Sequence, residues 1–554
     1  MRRLTKLGVV IAASLLAAAC SSSPTPSGPA SPSGPSGVLS LSNEAGSTWT
    51  CGFSPFNGSV SFLSVGPVYE PLVFVNTLQS GKTTPWLASS YAWSNGNKTV
   101  TFTIRKNVKF SDGSPMGASD VVFTFNMLKR FPALDINSVW SVLSSVTQQG
   151  SDQVVMTFKT AAVPYFYYIA DQVGIVPQKI WSKLKNPVTF TDANPIGTGA
   201  YTVKCSPQLI TYTANAHYYQ PGEPHIETVL YPAYTSNDPA NVDLATGKAQ
   251  WGSQFIPSIK KFYTSKSASY HYWFPPTANV SMFINLKDPV LSDVHVRQAM
   301  AYAIDRQKVS TVGEYGYEPA SNQTGIVTPT FSTWVDRSAA AKFGNYSYSP
   351  SKAMSILAAD GYKKDSNGLM AKNGKELSFS IINVGGYSDW VASVQVIQQD
   401  LQAVGIKLTP VNLASTDFDS RLYNGNFQLA YYSETGGPSP YYELRQWLYG
   451  PSTAPIGKLA TTNWERYSSP ATDKLINAYG ATTDPAQQHA IVNQLEQVML
   501  SQVPVIPVTE SVDWYQYDTA KFNGWVTPQD PFAQPSIYTN PDWGIVLLHL
   551  TPKG

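Results

Sequence analysis

Residues 377–413 constrain the fold more than any other stretch of the chain. Positions 377–384 form an apolar run of strand length. Trp390, Val394, Ile397, Leu401 and Val404 then recur at steps of four, three, four and three, the spacing of one helix face. Gly405 suits the left-handed position just beyond a helix, and 406–413 reads as a second strand. This is a strand–helix–strand unit, so its strands should run parallel with a right-handed crossover. Ligands in such sheets sit at the carboxyl edge, where Gly385-Gly386-Tyr387 lies. A plain connecting loop is the alternative reading of those three residues.

The N-terminus predicts where such a fold would work. Arg2, Arg3 and Lys6 precede a short apolar run, 9–19, that ends in Ala17-Ala18-Ala19. The run is too short to span a bilayer and reads as a removable leader, 1–19. Cys20 follows at once, which resembles a bacterial lipobox with Ala17 in place of the usual Leu. In that pattern the cysteine is lipidated, and its acyl chains suffice for stable anchoring. Ordinary secretion is the alternative. Residues 20–37 are rich in Ser, Pro and Gly and read as an extended tether. The implied location is the outer face of the cytoplasmic membrane.

About 517 residues remain, too many for one hydrophobic core. The formal net charge is +2 and basic clusters are missing, which argues against nucleic acid as a partner. The 14 Trp, 32 Tyr and 23 Phe suit a site that grips uncharged, amphipathic ligands, besides ordinary packing. Two cysteines besides Cys20 remain, Cys51 and Cys205. Outside the membrane they predict a disulfide, worth about 4–5 kcal/mol on chain-entropy grounds. Two buried thiols are the alternative.

Residues 38–188 read mainly as strands. Positions 90–93 and 99–105 alternate around Asn95-Gly96, a hairpin signal, and 154–160 alternates too. Residues 120–129 read as a helix capped by Ser119. Ser349-Pro350 starts a helix that Gly361 ends, and Asp484-Pro485 starts another, with Ile491, Leu495, Val498 and Met499 on its buried face. Asp293 caps a helix containing Val296, Met300, Ala303 and Ile304, whose last turn would carry Arg306 and Lys308.

Sequence motifs of catalysis are missing: no G-x-S-x-G, H-E-x-x-H, C-x-x-C or P-loop. The six histidines, at 217, 225, 271, 295, 489 and 549, show no metal-ligand spacing. Ser349-x-x-Lys352 matches S-x-x-K but lacks its companion motifs, and Ser349 is better read as a cap. No catalytic residue, metal or cofactor is expected, although a secreted hydrolase with two separated carboxylates stays open as an alternative.

Residues 99–125, TVTFTIRKNVKFSDGSPMGASDVVFTF, resemble the signature of the bacterial extracellular solute-binding proteins, family 5. The matching positions are Ile104-Arg105-x-x-Val108-x-Phe110, Asp112-Gly113 and Ala118-x-Asp120-Val121. Tyr69-Glu70-Pro71-Leu72, Leu87-Ala88, Gly197-Thr198-Gly199-Ala200-Tyr201 and Phe283-Ile284-Asn285 resemble further family patterns. So does the block from Val294 through Arg297 to Ile304-Asp305-Arg306. The resemblance implies an α/β, two-lobed fold of the periplasmic-binding-protein type, class II, with an extra β-rich domain and a ligand cleft between lobes. It implies lobe I from 38–80, 190–280 and 510–554, the extra domain from 81–189, and lobe II from 281–509. Crossings between lobes are expected near 275–285 and 503–512. The implied role is a monomeric solute-binding protein of an ABC importer, closing on an oligopeptide-class ligand and handing it to a permease driven by an ATPase.

Peptide-binding members carry an acidic stretch that holds the ligand's amine. Here the Asp before Pro is Ser439, leaving Glu434 as the candidate acid in a tyrosine-rich loop, 429–442. That loop resembles oligosaccharide-binding members, so a β-glucan-type sugar is the alternative ligand. The expected cleft residues are Trp49, Tyr431, Tyr432, Glu434 and Trp464, then Tyr387 and Trp390.

Overall fold

A computed structural model describes residues 36–43, 48–79, 81–328, 330–434, 436–460 and 462–553. The leader, Cys20 and most of the tether lie outside them. Ser36 and Gly37, read above as tether, belong to the strand Ser36–Ser42. Ser36 N–H donates to the His225 carbonyl at 2.9 Å, so pairing with the strand Ile226–Pro232 begins there. Among the described residues no helix is long and apolar enough to cross a membrane.

Two sheets face one cleft. The seven-stranded sheet runs in the order Tyr270–Tyr272, Gln516–Asp518, Trp251–Gly252, Ser36–Ser42, Ile226–Pro232, Leu209–Ala214, Tyr201–Ser206. The five-stranded sheet runs Lys407–Leu413, Ser378–Val384, Leu429–Ser433, Pro276–Ile284, Val505–Val512. Only two connections, at 273–275 and 513–515, separate strands of the second sheet from strands of the first. This is the two-lobed fold; the connections lie at the outer ends of strands Pro276–Ile284 and Val505–Val512, which occupy the ranges 275–285 and 503–512 expected for the crossings.

A four-stranded antiparallel sheet, Ala88–Ser94, Thr99–Ile104, Gln153–Phe158 and Leu143–Gln149, forms the β-rich addition. Its hairpin closes at the Ser94↔Thr99 pair through the four-residue loop 95–98, in which Asn95, Gly96 and Asn97 are all at positive φ. Residues 48–72 carry only a single 3₁₀ turn, Ser61–Leu63, so strands are fewer in 38–188 than alternation suggests. Pro55, Gly58, Gly66, Pro67 and Pro71 interrupt any ladder there.

The strand–helix–strand unit forms as read. Helix Ser388–Ala403 connects parallel strands in register from Ser378↔Lys407 to Val384↔Leu413, and Gly405 has φ +83°. Ser349 Oγ accepts the Lys352 N–H, and Asp484 caps the helix Pro485–Gln502. That helix buries Val492, Leu495, Glu496, Met499 and Leu500, whereas Ile491 and Val498 are only partly covered. The buried stripe is rotated because Glu496 accepts the Asp336 N–H and faces inward.

Two caps differ from expectation. In helix Ala118–Arg130 the cap position is Gly117, not Ser119, and the Asp120 carboxylate accepts the Gly117 N–H from the first turn. Helix Val294–Ala303 ends before Arg306, which opens a separate short turn, Arg306–Lys308, capped by Asp305. Arg306 is buried and donates to the carbonyls of Ala301, Tyr346 and Pro507 and to Gln323 Oε1. Arg297 donates to the carbonyls of Leu291, Ser292, Gln502 and Val503. These two motif arginines therefore clamp the helix onto the segment that enters the second crossing. Gly197 and Gly199 serve packing as well, since a Cβ would lie 1.9 Å from the Val68 carbonyl oxygen or 2.3 Å from that of Pro67.

Candidate functional site: the cleft between the two sheets

Both sheets present strand ends to the same cavity. In the five-stranded sheet its lining comes from the carboxyl ends of three parallel strands and the residues that follow them, at Val384 and Tyr387, at Ser415 and Asp419, and at Tyr432 to Glu434. In the seven-stranded sheet it comes from beyond Ser36–Ser42 and Trp251–Gly252, at Asn43 and at Ser253 to Phe255. This is the carboxyl-edge position expected of a ligand site in an α/β sheet. The cavity holds about 530 Å³, within the range of small-molecule sites.

The cavity is spanned by direct hydrogen bonds. Asn237 Nδ2, from the lobe of the seven-stranded sheet, donates to Ser388 Oγ at 3.1 Å and to Asp389 Oδ1 at 3.3 Å. Gly436 lets the chain pass the first crossing strand, because a Cβ there would lie 1.9 Å from the Thr277 carbonyl oxygen.

Five of the seven expected residues line the cavity: Trp49, Tyr387, Trp390, Tyr432 and Glu434. Trp390 meets Tyr387 at 5.0 Å and Tyr432 at 5.5 Å, both edge to face. Trp49 donates its indole N–H to the Tyr231 carbonyl and packs on that ring at 4.8 Å. Its segment is held by the Cys51–Cys205 disulfide, whose Cα atoms are 5.6 Å apart, and by Trp49 N–H to the Pro207 carbonyl at 2.8 Å.

Two expected residues do not line it. Tyr431 precedes Tyr432 in one strand, so the pleat turns it to the other face, where it is fully buried. Trp464 lies behind Tyr432, at 5.6 Å, and packs on Phe283 and Tyr423. Ser439 also lies outside the lining: it is the cap position of helix Pro440–Leu448 and hydrogen-bonds Tyr479 at 3.0 Å. The Ser at that position therefore contacts a tyrosine inside the protein.

The electrostatics of the cavity are one-sided. Glu318, Asp389, Asp419, Glu434 and Asp513 line it, and among the described lining residues there is no Lys, Arg or His. Burial, the largest influence on each, pushes all five carboxyls up. Asp419 rises to about 7 and Asp513 to about 7, the latter despite hydrogen bonds from Ser536 and Thr277. Asp389 rises to about 6, and Glu318 to about 8 with Asp389 adding repulsion. Glu434 is raised by burial and then by Glu465 and Glu443. It is 6% exposed, and neither of its oxygens has a hydrogen-bond partner among the described residues. A carboxyl titrating near neutrality offers both a donor and an acceptor, which suits a hydroxyl-rich ligand.

The family model described as "Bacterial extracellular solute-binding proteins, family 5 Middle" matches residues 82–455. The chain belongs to this family of solute-binding proteins. Among the relatives of this family 5 protein is the nickel-binding periplasmic protein of Escherichia coli (strain K12). It is 22% identical over 488 residues, covering 84% of this chain and 89% of the relative. The oligopeptide-binding protein AppA of Bacillus subtilis (strain 168) is 27% identical over 347 residues, 58% of this chain and 60% of the relative. A similar solved structure is the periplasmic oligopeptide-binding protein of an oligopeptide ABC transporter from Thermotoga maritima, bound to mannohexaose. Its TM-score is 0.86 at 25% identity, covering 93% of this chain and 98% of that one.

The signature residues of family 5 are structural here. Glu70 accepts from the indole of Trp86 at 2.7 Å and from Tyr218 at 2.8 Å, and Asp120 accepts the Gln178 N–H at 2.9 Å. The sequence reading missed Phe255, Glu318, Asp419, Asp513 and Trp514 in the cleft. Asp513 and Trp514 follow the second crossing strand, which was legible; Phe255 and Asp419 had no motif to mark them. Away from the cleft, ligand atoms of His295, Asp293 and Asp360 lie within 4.8 Å of one another. Lys372 Nζ already supplies a cation there, 2.9 Å from Asp360.

Proposed function

We propose that this protein is the extracytoplasmic substrate-binding component of an ABC importer, and that its cleft captures a neutral oligosaccharide. The observation that carries the ligand class is the lining: four buried carboxyls, the half-buried Asp419 and no cationic side chain among its described residues. A free peptide carries a carboxylate, and burying it without a cationic partner is costly. A neutral sugar has no such group. Its hydroxyls pair with carboxyls and with amides such as Asn43, Gln254 and Gln534, while its C–H faces pack on Trp390, Tyr432 and Trp49.

Hinge motion about the two crossings would close the lobes on the ligand and exclude water, which strengthens polar contacts inside. The loaded form would then dock on a permease powered by an ATPase. A lipid on Cys20 would hold the monomer at the outer face of the membrane; Cys20→Ser would release it from the membrane fraction. The role is capture without turnover, so no shortened glycan should accumulate on prolonged incubation.

Thermal melting and calorimetry test the ligand class with cello-, laminari- and manno-oligosaccharides and with peptides. A ligand selective for the folded state raises the melting temperature by mass action. Saccharides should do so and peptides with free C-termini should not. The opposite pattern overturns this reading and restores an oligopeptide ligand, for which Glu434 would hold the amine. That second reading is favoured by the unpartnered Glu434 carboxyl and by the oligopeptide-binding relatives.

A further inference from the structure

The aromatic surface of the cleft does not stop at the cavity wall. Phe255 and Trp514 line the cavity and meet edge to face at 5.6 Å. Tyr315 sits 5.6 Å from Phe255 and does not line the cavity. Tyr317 stacks alongside Tyr315 at 6.4 Å and meets Trp514 at 6.2 Å. Exposure climbs along this path, from 4% at Phe255 to 51% at Tyr315.

Tyr315 is also held where it is. Its φ of +53° is a left-handed conformation that a bulky residue rarely adopts. The turn is pinned by Gly316 N–H to the Ser310 carbonyl at 2.8 Å and by Tyr317 N–H to the Glu314 carbonyl at 2.9 Å. Tyr317 Oη accepts the Ile259 N–H at 2.9 Å, which ties this turn to the lobe of the seven-stranded sheet. A ring that served only to fill the hinge would be covered, yet this one is half in solvent. Val312, three residues before it, is 54% exposed as well.

We propose that Tyr315 is an outer sugar-stacking subsite, receiving the units of a saccharide chain that extend beyond the enclosed cavity. The proposal rests on the saccharide reading above and deepens it: the natural ligand is longer than the cavity, with one end leaving past Phe255 over the face of Tyr315. Sugar C–H faces stack on an exposed aromatic ring without needing a charge.

The test is calorimetry on the full chain and its Tyr315→Ala and Tyr315→Phe forms, with cello-, laminari- and manno-oligosaccharides from dimer to hexamer. Tyr315→Ala should lose roughly 10-fold in affinity for the hexamer of the series that binds, about 1.4 kcal/mol, and stay within about 2-fold for its shortest bound member. Tyr315→Phe should retain hexamer affinity. The short ligand serves as the folding control, since a misfolded variant would lose both. A loss equal at every length, or no loss for the hexamer, overturns the outer subsite and leaves the cavity reading standing. Failure of the unmodified chain to bind any saccharide overturns both.

Discussion

The two walls of the cleft are built from different chemistry. Asn43, Asn57, Asn237, Gln254 and Gln534, with Trp49 and several hydroxyls, line it on the side of the seven-stranded sheet, and the one carboxylate tied to that side among the described lining residues is Asp513 in the second connection, which accepts from Ser536 at 3.0 Å. The opposite wall supplies Asp389, Asp419 and Glu434 beside Tyr387, Trp390 and Tyr432. Neutral amides keep their hydrogen-bonding capacity at every pH, whereas buried carboxyls change theirs with protonation. One wall is therefore a fixed template and the other an adjustable one.

That contrast can be broken most severely on the neutral wall. Cys51→Ser with Cys205→Ser releases the segment carrying Trp49 and should cost up to about 4–5 kcal/mol of stability. Denaturant unfolding of the double variant against the parent, with and without reductant, measures it. Next comes the ring surface of the titratable wall. Trp390→Ala should weaken saccharide binding by about 100-fold, near 3 kcal/mol, because its ring meets Tyr387, Tyr431 and Tyr432. Calorimetry reads the loss, and a loss of only a few-fold would move the stacking to the opposite wall.

Glu434→Gln sharpens the contrast by making that position neutral. A neutral ligand should keep its affinity within about 3-fold, and the empty protein should melt higher, since an unpaired buried carboxyl has been removed. A 100-fold loss would instead mean that Glu434 pairs with a cation.

The smallest effect is on pH. The five carboxyls have folded-state values above their unfolded ones, so the folded protein binds more protons between about pH 4 and 8. Their contribution is complete below the unfolded values and is lost as pH rises through the folded ones. The empty protein should therefore lose this stability between pH 5 and pH 8. Asp419→Asn should flatten the melting profile in the region around pH 7.

What the sequence revealed of this site follows the same division. The titratable wall follows a strand–helix–strand unit whose periodicity is local, so Tyr387 and Trp390 could be placed at its carboxyl edge from spacing alone. The neutral wall is gathered from residues near 43–63, 237–255 and 534–540, stretches without a shared period, and only Trp49 was named from it. Tyr431 shows the opposite failure: its residue type suited the site, but strand alternation turns it away. Ser439 stands where the sequence pattern has an Asp before Pro, and its contact in space is Tyr479. The paired caps at Ser349-Pro350 and Asp484-Pro485 were legible because a helix start is decided within four residues.

The Cys51–Cys205 bond also alters the chain as a covalent object. It encloses the four-stranded sheet in a ring, with 36–50 on one side and the five-stranded sheet on the other. A protease that cuts one peptide bond inside that ring opens it without dividing the molecule. Both pieces stay joined through sulfur, and a lipid on the N-terminal piece would still hold the ligand-binding lobes at the membrane until the disulfide is reduced. A nicked molecule would run as one species on a non-reducing gel and as two on a reducing one.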